Sequence, residues 1–176
     1  MNSFKLSPRF LLLTGMILIA AIVRLLPHPP NFAPIAAMAL FGGAYFNRKV
    51  FAFAIPLAAL FLTDLFLGFH NTMWAVYLSF VVIVGLGMVI LKKKSVVKII
   101  LASVSASVLF FILTNFAFWA TDTLYPTTLT GLAACYTAAI PFFHNTVIGD
   151  LFFTGAMFGL FELAKVKFPQ LVRVKS

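Results

Sequence analysis

Two carboxylates, Asp64 and Asp150, and one cation, Arg24, stand within or at the end of otherwise apolar runs of this 176-residue chain. An ionisable side chain in such surroundings is costly unless it is paired or bound, which makes each position a candidate functional site. The second run, residues 141–162 (PFFHNTVIGDLFFTGAMFGLFE), also carries His144, Asn145 and Glu162. It has a partial echo upstream. Phe69-His70-Asn71-Thr72 repeats as Phe143-His144-Asn145-Thr146, and Asp64-Leu65-Phe66 repeats as Asp150-Leu151-Phe152. The Asp precedes its His by six residues in the first copy and follows it by six in the second. In antiparallel helices each Asp would lie roughly 9 Å deeper than its His, on the same side. The two carboxylates are therefore expected at a shared depth, facing each other or facing Arg24 between them. Such a net-negative site would accept a cationic or hydrogen-bond-donating ligand and repel an anion. A structural reading stays open beside it, in which Arg24 neutralises a carboxylate and locks helices together without touching a ligand.

The remaining polar residues near this group have their own alternatives. His28, His70 and His144 carry imidazoles, which are common metal ligands. Scattered over three connections, they lack the spacing of a helical two-histidine site, so no metal centre is expected and interfacial histidines are the simpler reading. Asn31, Asn71, Asn115 and Asn145 suit recognition of a polar, uncharged head group, and equally suit turns and caps. Trp74, Trp119 and Tyr125 mark an aromatic belt at a membrane interface or stack on a ligand. The single cysteine, Cys135, excludes an intramolecular disulfide and a cysteine-based zinc site. No serine or cysteine hydrolase motif, Walker motif or H-E-x-x-H run is present, so neither an enzyme nor a cofactor is expected.

The elements that must position these residues are helices. The composition is 62% hydrophobic and 10% charged, with a mean hydropathy of +1.08, which places the chain among polytopic membrane proteins. A single integral domain over residues 1–176 is expected, with helices at about 10–26, 33–46, 50–69, 73–91, 96–120 and 143–164. The second is short and rich in small residues, suited to close packing. The stretch 128–140 is too short to cross a bilayer before Pro141 and is expected as an interfacial or re-entrant element. The first apolar run follows Lys5 and Arg9 as a secretory signal would, but no A-x-A-type cleavage site follows, so it is read as an uncleaved helix. Gly155-x-x-x-Gly159, Ala33-x-x-x-Ala37, Ala54-x-x-x-Ala58 and Ala102-x-x-x-Ala106 are small-residue patterns, expected to serve internal packing before subunit docking.

Six spans with both termini in the cytoplasm satisfy the positive-inside rule closely. Lys5, Arg9, Arg48, Lys49, Lys92, Lys93, Lys94, Lys98, Lys165, Lys167, Arg173 and Lys175 then lie inside, twelve of the thirteen basic residues. Arg24 alone lies outside, with His28, His70, Asp122 and His144, while Glu162 is expected to snorkel or to pair with Lys165 near the inner end. The net charge of +9 thus reflects orientation and anionic lipid rather than a nucleic-acid partner. A multi-pass protein of the bacterial inner membrane is expected.

Arg24-Leu25-Leu26-Pro27-His28-Pro29-Pro30-Asn31-Phe32-Ala33-Pro34-Ile35, then Ala39-Leu40-Phe41-Gly42-Gly43-Ala44, and Pro141-Phe142-Phe143-His144-Asn145-Thr146 with Gly149-Asp150, resemble a family of small, uncharacterised bacterial membrane proteins assigned to transport. Six short helices with cations inside and a polar outer cavity resemble, more broadly, the substrate-binding S-components of energy-coupling-factor vitamin transporters. The resemblance implies an S-component-like bundle that captures a vitamin-like or other micronutrient solute in an outward cavity. It also implies a coupling subunit with its ATPases at the cytoplasmic side. The A-x-x-x-A docking pattern that S-components carry on their first helix is absent here, where only Ala20-Ala21 stands. Relatives that act alone and bind cobalt through a cysteine offer a further likeness, to Cys135. The substrate-contacting set implied is Arg24, His28, Asn31, Asp64, His70, Asn71, Asn115, Trp119, Tyr125, His144, Asn145 and Asp150. The competing readings are an assembly protein that binds no small molecule and a divalent-metal permease.

Overall fold

The structure, a computed structural model, describes residues 7–172, and among them it is all-helical. Six helices, α1 (Pro8–Val23), α2 (Ile35–Tyr45), α3 (Lys49–Leu67), α4 (Met73–Ile90), α5 (Val96–Thr121) and α6 (Leu129–Lys167), precede a 3₁₀ turn at Pro169–Leu171. Four of them, α3 to α6, are long and apolar enough to cross a membrane, while α1 and α2 are shorter apolar helices. Lys5, Arg173 and Lys175, expected among the orientation signals, lie outside the described residues.

Helix ends follow local chemistry. The Ser7 hydroxyl accepts the Phe10 N–H at 3.1 Å and Pro8 takes the first helical position, so α1 begins where its orphan donors are met. Its end comes earlier than the apolar run implies, because Arg24, Leu25 and Leu26 turn inward on i−3 carbonyls ahead of Pro27. Ser95 caps α5 and Thr128 caps α6 in the same manner, and Gly68, at a φ of 89°, supplies the left-handed residue that closes α3.

Successive helices alternate in direction. The start of α1, the end of α2 and the 3₁₀ turn meet at one end of the bundle, where the Arg9 guanidinium donates to the Tyr45 carbonyl at 3.1 Å and to the Leu171 carbonyl at 2.8 Å. Glu162 pairs there with Lys165, as its spacing implies. Arg24, the α1–α2 connection and the α3–α4 turn gather at the opposite end. Helix α2 is the centre: nine of its eleven residues are buried and it packs against all five other helices. Its small residues make this possible, since a Cβ on Gly43 would collide with the Val84 carbonyl oxygen.

Residues 128–140 are not a separate interfacial or re-entrant element. They form the first turns of α6, which runs unbroken through Pro141 for 39 residues. Neighbouring contacts hold the segment along α5 and outweigh the backbone bond that proline removes. The Tyr136 hydroxyl donates to the Ile112 carbonyl at 2.7 Å, the Cys135 thiol lies 3.6 Å from the Asn115 carbonyl, and the Phe111 ring packs on Tyr136 and Phe143. The small-residue patterns also divide. Ala33, Ala37, Ala102 and Ala106 are buried, whereas Ala54, Ala58, Gly155 and Gly159 are exposed, and a Cβ on either glycine would meet nothing within 4 Å.

Candidate functional site

Arg24 follows the last turn of α1 and reaches α3. Its guanidinium pairs with the Asp64 carboxylate at 2.6 Å and donates to the Thr63 hydroxyl at 2.6 Å and the Leu60 carbonyl at 3.4 Å. The other Asp64 oxygen accepts the Tyr77 hydroxyl of α4 at 2.8 Å. With side-chain exposures of 12% for Arg24 and 5% for Asp64, the pair is largely dry, which is the setting where ion-pair geometry matters most. Three elements are joined through it.

Asp150 is held differently. Its carboxylate accepts the Ser107 hydroxyl of α5 at 2.6 Å and lies beside the Ala36 backbone N–H in the first turn of α2. Pro34, which precedes α2, makes no side-chain cap, so the acid from α6 supplies the negative end that the α2 N-terminus needs. Among the described residues Asp150 makes no ion pair. Arg24 thus pairs with Asp64 and not with Asp150. The echo is structurally uneven: Phe69-His70-Asn71-Thr72 is loop and turn, while Phe143-His144-Asn145-Thr146 lies inside α6.

Two adjoining cavities open over these groups. One, of about 260 Å³, is lined by Arg24, His28, Asn31, Ile35, Ala36, Thr146 and Asp150, among others. The second, of about 330 Å³, shares Arg24, Asn31, Ile35, Phe110 and Thr146 with the first and adds Asp64, His70, Thr72, Phe111, Thr114, Asn115 and Phe118. The first falls just below and the second just above the lower bound of small-molecule sites, about 300 Å³, and the mixture of apolar and aromatic walls with a few convergent polar groups is the usual lining of one. Asn31 sits at a φ of 63°, a left-handed backbone that Asn tolerates better than most residues, and it lines both cavities.

The residues singled out in the sequence separate into two groups. Arg24, His28, Asn31, Asp64, His70, Asn115 and Asp150 line the cavities. Asn71, Trp119, Tyr125, His144 and Asn145 line neither. The Trp119 indole donates to the Pro126 carbonyl at 3.0 Å and Tyr125 packs edge-on against Phe118, so both stabilise the connection before α6. The His144 ring lies 3.1 Å from its own helix carbonyl at Ile140, and Asn71 is exposed in the α3–α4 turn. Asn145 donates to the Pro30 carbonyl at 3.0 Å and ties the α1–α2 connection to α6, where Gly149 leaves room for Phe32. Thr63, Tyr77, Ser107 and Thr146 were not evident beforehand. Hydroxyls in apolar helices usually bond their own backbone, and as residues in the sequence these four look no different.

Among the described residues, no three His, Cys, Asp or Glu side chains converge as a metal site would require. No curated protein and no solved structure matches the chain. A family model does match, over residues 4–171, and the chain therefore belongs to the family of unknown function DUF6580.

Proposed function

We propose that this protein is a multi-pass carrier of the inner membrane that captures a small, vitamin-like or other micronutrient solute in the paired cavities beside Arg24, Asp64 and Asp150. One observation carries the reading: Arg24, the two buried acids and the two adjoining cavities they line occupy the same end of the bundle, while the end opposite gathers the lysines. By the positive-inside rule that lysine-rich end faces the cytoplasm and the cavities face outward, with six spans and both termini inside. With Arg24 committed to Asp64, and Asp150 to Ser107, the groups left for a solute are the Asn31 amide and the acceptor oxygens of Thr114, Asn115 and Thr146, whose hydroxyl or amide protons go to carbonyls of their own helices. A polar, uncharged or weakly cationic solute with an aromatic or apolar body fits such a lining. An energy-coupling-factor type of coupling subunit with ATPases would dock at the cytoplasmic side, although α1 lacks the small-residue pattern associated with that contact.

The test is mass spectrometry of small molecules released from protein purified out of its native membrane, with the Asp64→Asn/Asp150→Asn variant in parallel. A solute enriched in the native protein and lost from a folded double variant supports capture at this site. If the folded double variant retains the solute unchanged, the two acids are scaffolding and recognition lies in the connections above them. A second reading is favoured by the engagement of both acids within the protein: an assembly or structural membrane protein with no solute. Absence of any enriched molecule, together with unchanged growth of a deletion strain on vitamin-limited media, supports that reading. A divalent-metal permease would instead need ligands beyond His28 and Asp150 in the first cavity.

A further inference from the structure

Donors and acceptors do not balance along the walls of the two cavities. The Thr114 hydroxyl donates to the Phe110 carbonyl at 2.7 Å and the Thr146 hydroxyl to the Phe142 carbonyl at 3.2 Å. The Asn115 amide turns its nitrogen to the Phe111 carbonyl at 2.8 Å, a contact that fixes the amide orientation because an amide oxygen cannot donate. What these three side chains offer the cavities is therefore chiefly oxygen. Asp64 and Asp150 add carboxylate oxygens to the same lining. Arg24 spends its N–H groups on Asp64, Thr63 and the Leu60 carbonyl. A solute that fills these cavities must bring donors of its own.

Charge is uneven in the same sense. Arg24 and Asp64 meet at 2.6 Å and balance each other. Asp150, 3% exposed, lines the first cavity and makes no ion pair among the described residues. The Ser107 hydroxyl has one proton to divide between Asp150 at 2.6 Å and the Ser103 carbonyl at 3.1 Å, and a hydroxyl brings no full positive charge. Thr146 stands one helical turn before Asp150 on α6, so its oxygen and the carboxylate share a face and a cavity. Resting on the solute-capture reading above, we propose that the cavities take a small organic cation bearing a primary or secondary ammonium group, its N–H groups directed at Asp150, Thr146 and Asn31 and its apolar body lying along Phe110. An ammonium supplies at once the donors and the counter-charge that the lining lacks, and charge-assisted hydrogen bonds are the stronger kind. Phe110 walls both cavities, and Phe111 and Phe118 line the second, where an aromatic body would extend. An anionic solute would meet oxygen lone pairs and an acid on this lining.

The test uses full-length protein in nanodiscs and four probes that share one aromatic body. Phenethylamine carries the ammonium, phenethyl alcohol is neutral, phenylacetate is anionic, and trimethylphenethylammonium keeps the positive charge without an N–H. Saturation-transfer NMR reads binding, with empty nanodiscs as the background. Phenethylamine is expected to bind at least about tenfold more tightly than each of the others, the scale of one charge-assisted hydrogen bond. Asp150→Asn, which keeps the shape and an acceptor for Ser107, should bring the amine down to the level of the alcohol and leave the alcohol unchanged. Thermal unfolding checks that the variant folds, and the probe series on the native protein decides the matter if it does not. The class is overturned if the alcohol, the carboxylate or the trimethylammonium compound binds as well as the amine, if no probe binds, or if folded Asp150→Asn keeps the preference. Capture itself fails differently. An enriched native solute that lacks an amine overturns the ammonium class and leaves capture standing, whereas Asp150-dependent amine binding in a protein that yields no enriched solute upholds the chemistry of the site and counts against capture.

Discussion

Replacing Arg24 by alanine tests whether the guanidinium is a structural member of the bundle or a solvated group at its edge. The variant removes the 2.6 Å partner of Asp64 together with the bonds to the Thr63 hydroxyl and the Leu60 carbonyl. Thr63 keeps its own bond to the Leu60 carbonyl, and Asp64 keeps the Tyr77 hydroxyl, so the loss falls chiefly on a carboxylate that is 5% exposed and has no other ion-pair partner among the described residues. Breaking one side of a buried pair costs about 3–5 kcal/mol, because an uncompensated charge stays in the interior. The double variant Arg24→Ala/Asp64→Asn removes that charge while keeping an acceptor for Tyr77, and should therefore be less destabilised than Arg24→Ala alone. Coupling between directly contacting residues is about 0.5–3 kcal/mol, which sets the size of the expected recovery. Equilibrium unfolding in mixed detergent micelles, titrated with a denaturing detergent, reads all four corners of the cycle. Strict additivity would refute the pairing as an energetic element, and so would native stability of Arg24→Ala.

Asp150→Ala should lower stability by about 0.5–2 kcal/mol by removing the acceptor beside the uncapped N-terminus of α2, while the Ser107 hydroxyl keeps the Ser103 carbonyl at 3.1 Å, and Asp150→Asn should cost less. Hydrogen exchange read by mass spectrometry should show faster exchange confined to the first turn of α2 in the alanine variant. Gly43→Ala should destabilise by about 1–3 kcal/mol through overpacking against α4. Gly155→Ala, in open space on α6, should be neutral or gain up to about 1 kcal/mol from helix propensity, and thermal unfolding of the two variants side by side checks the contrast. Asn145→Ala should free the α1–α2 connection, and limited proteolysis should cut between α1 and α2 sooner than in the native protein.

The helices were legible because the apolar runs are long and their breaks are blunt: Pro27 to Pro30, Asn47 to Lys49, and Lys92 to Lys94 each stop one run and begin another. The close packing of α2 was legible in its alanines and glycines. The continuity of α6 was not, because Pro141 is a breaker by local rules and only the contacts of Cys135, Tyr136 and Phe143 with α5 show why the helix persists. Arg24 could be named as the counter-ion by elimination, there being no other cation among the apolar segments at that end, but its pairing with Asp64 rather than with Asp150 could not. The partners of Asp150 could not, since one is a backbone N–H more than a hundred residues earlier and the other a serine indistinguishable in sequence from its neighbours on α5. Trp119 and Tyr125 illustrate the opposite error. Aromatic residues near an expected cavity attract a ligand role, yet their rings stabilise the connection before α6.

The brevity of α2 has a consequence for how electrical energy would be distributed in a bilayer. The cavities beside Arg24 reach its first turn at Ile35 and Ala36, and a lysine-lined cavity at the opposite end reaches its last turn at Gly43, Ala44 and Tyr45. What separates them is the dry middle of one helix, Ala37, Met38, Ala39, Leu40 and Phe41, each 0% exposed, and it is only about 10 Å long from Ala36 to Gly43. A hydrocarbon core is about 30 Å thick, so with water in both cavities the membrane voltage would fall mainly across this plug and the local field would be about three times that in the surrounding lipid. An elementary charge crossing 100 mV gains or loses about 2.3 kcal/mol, and here that work would be concentrated within the span of two helical turns.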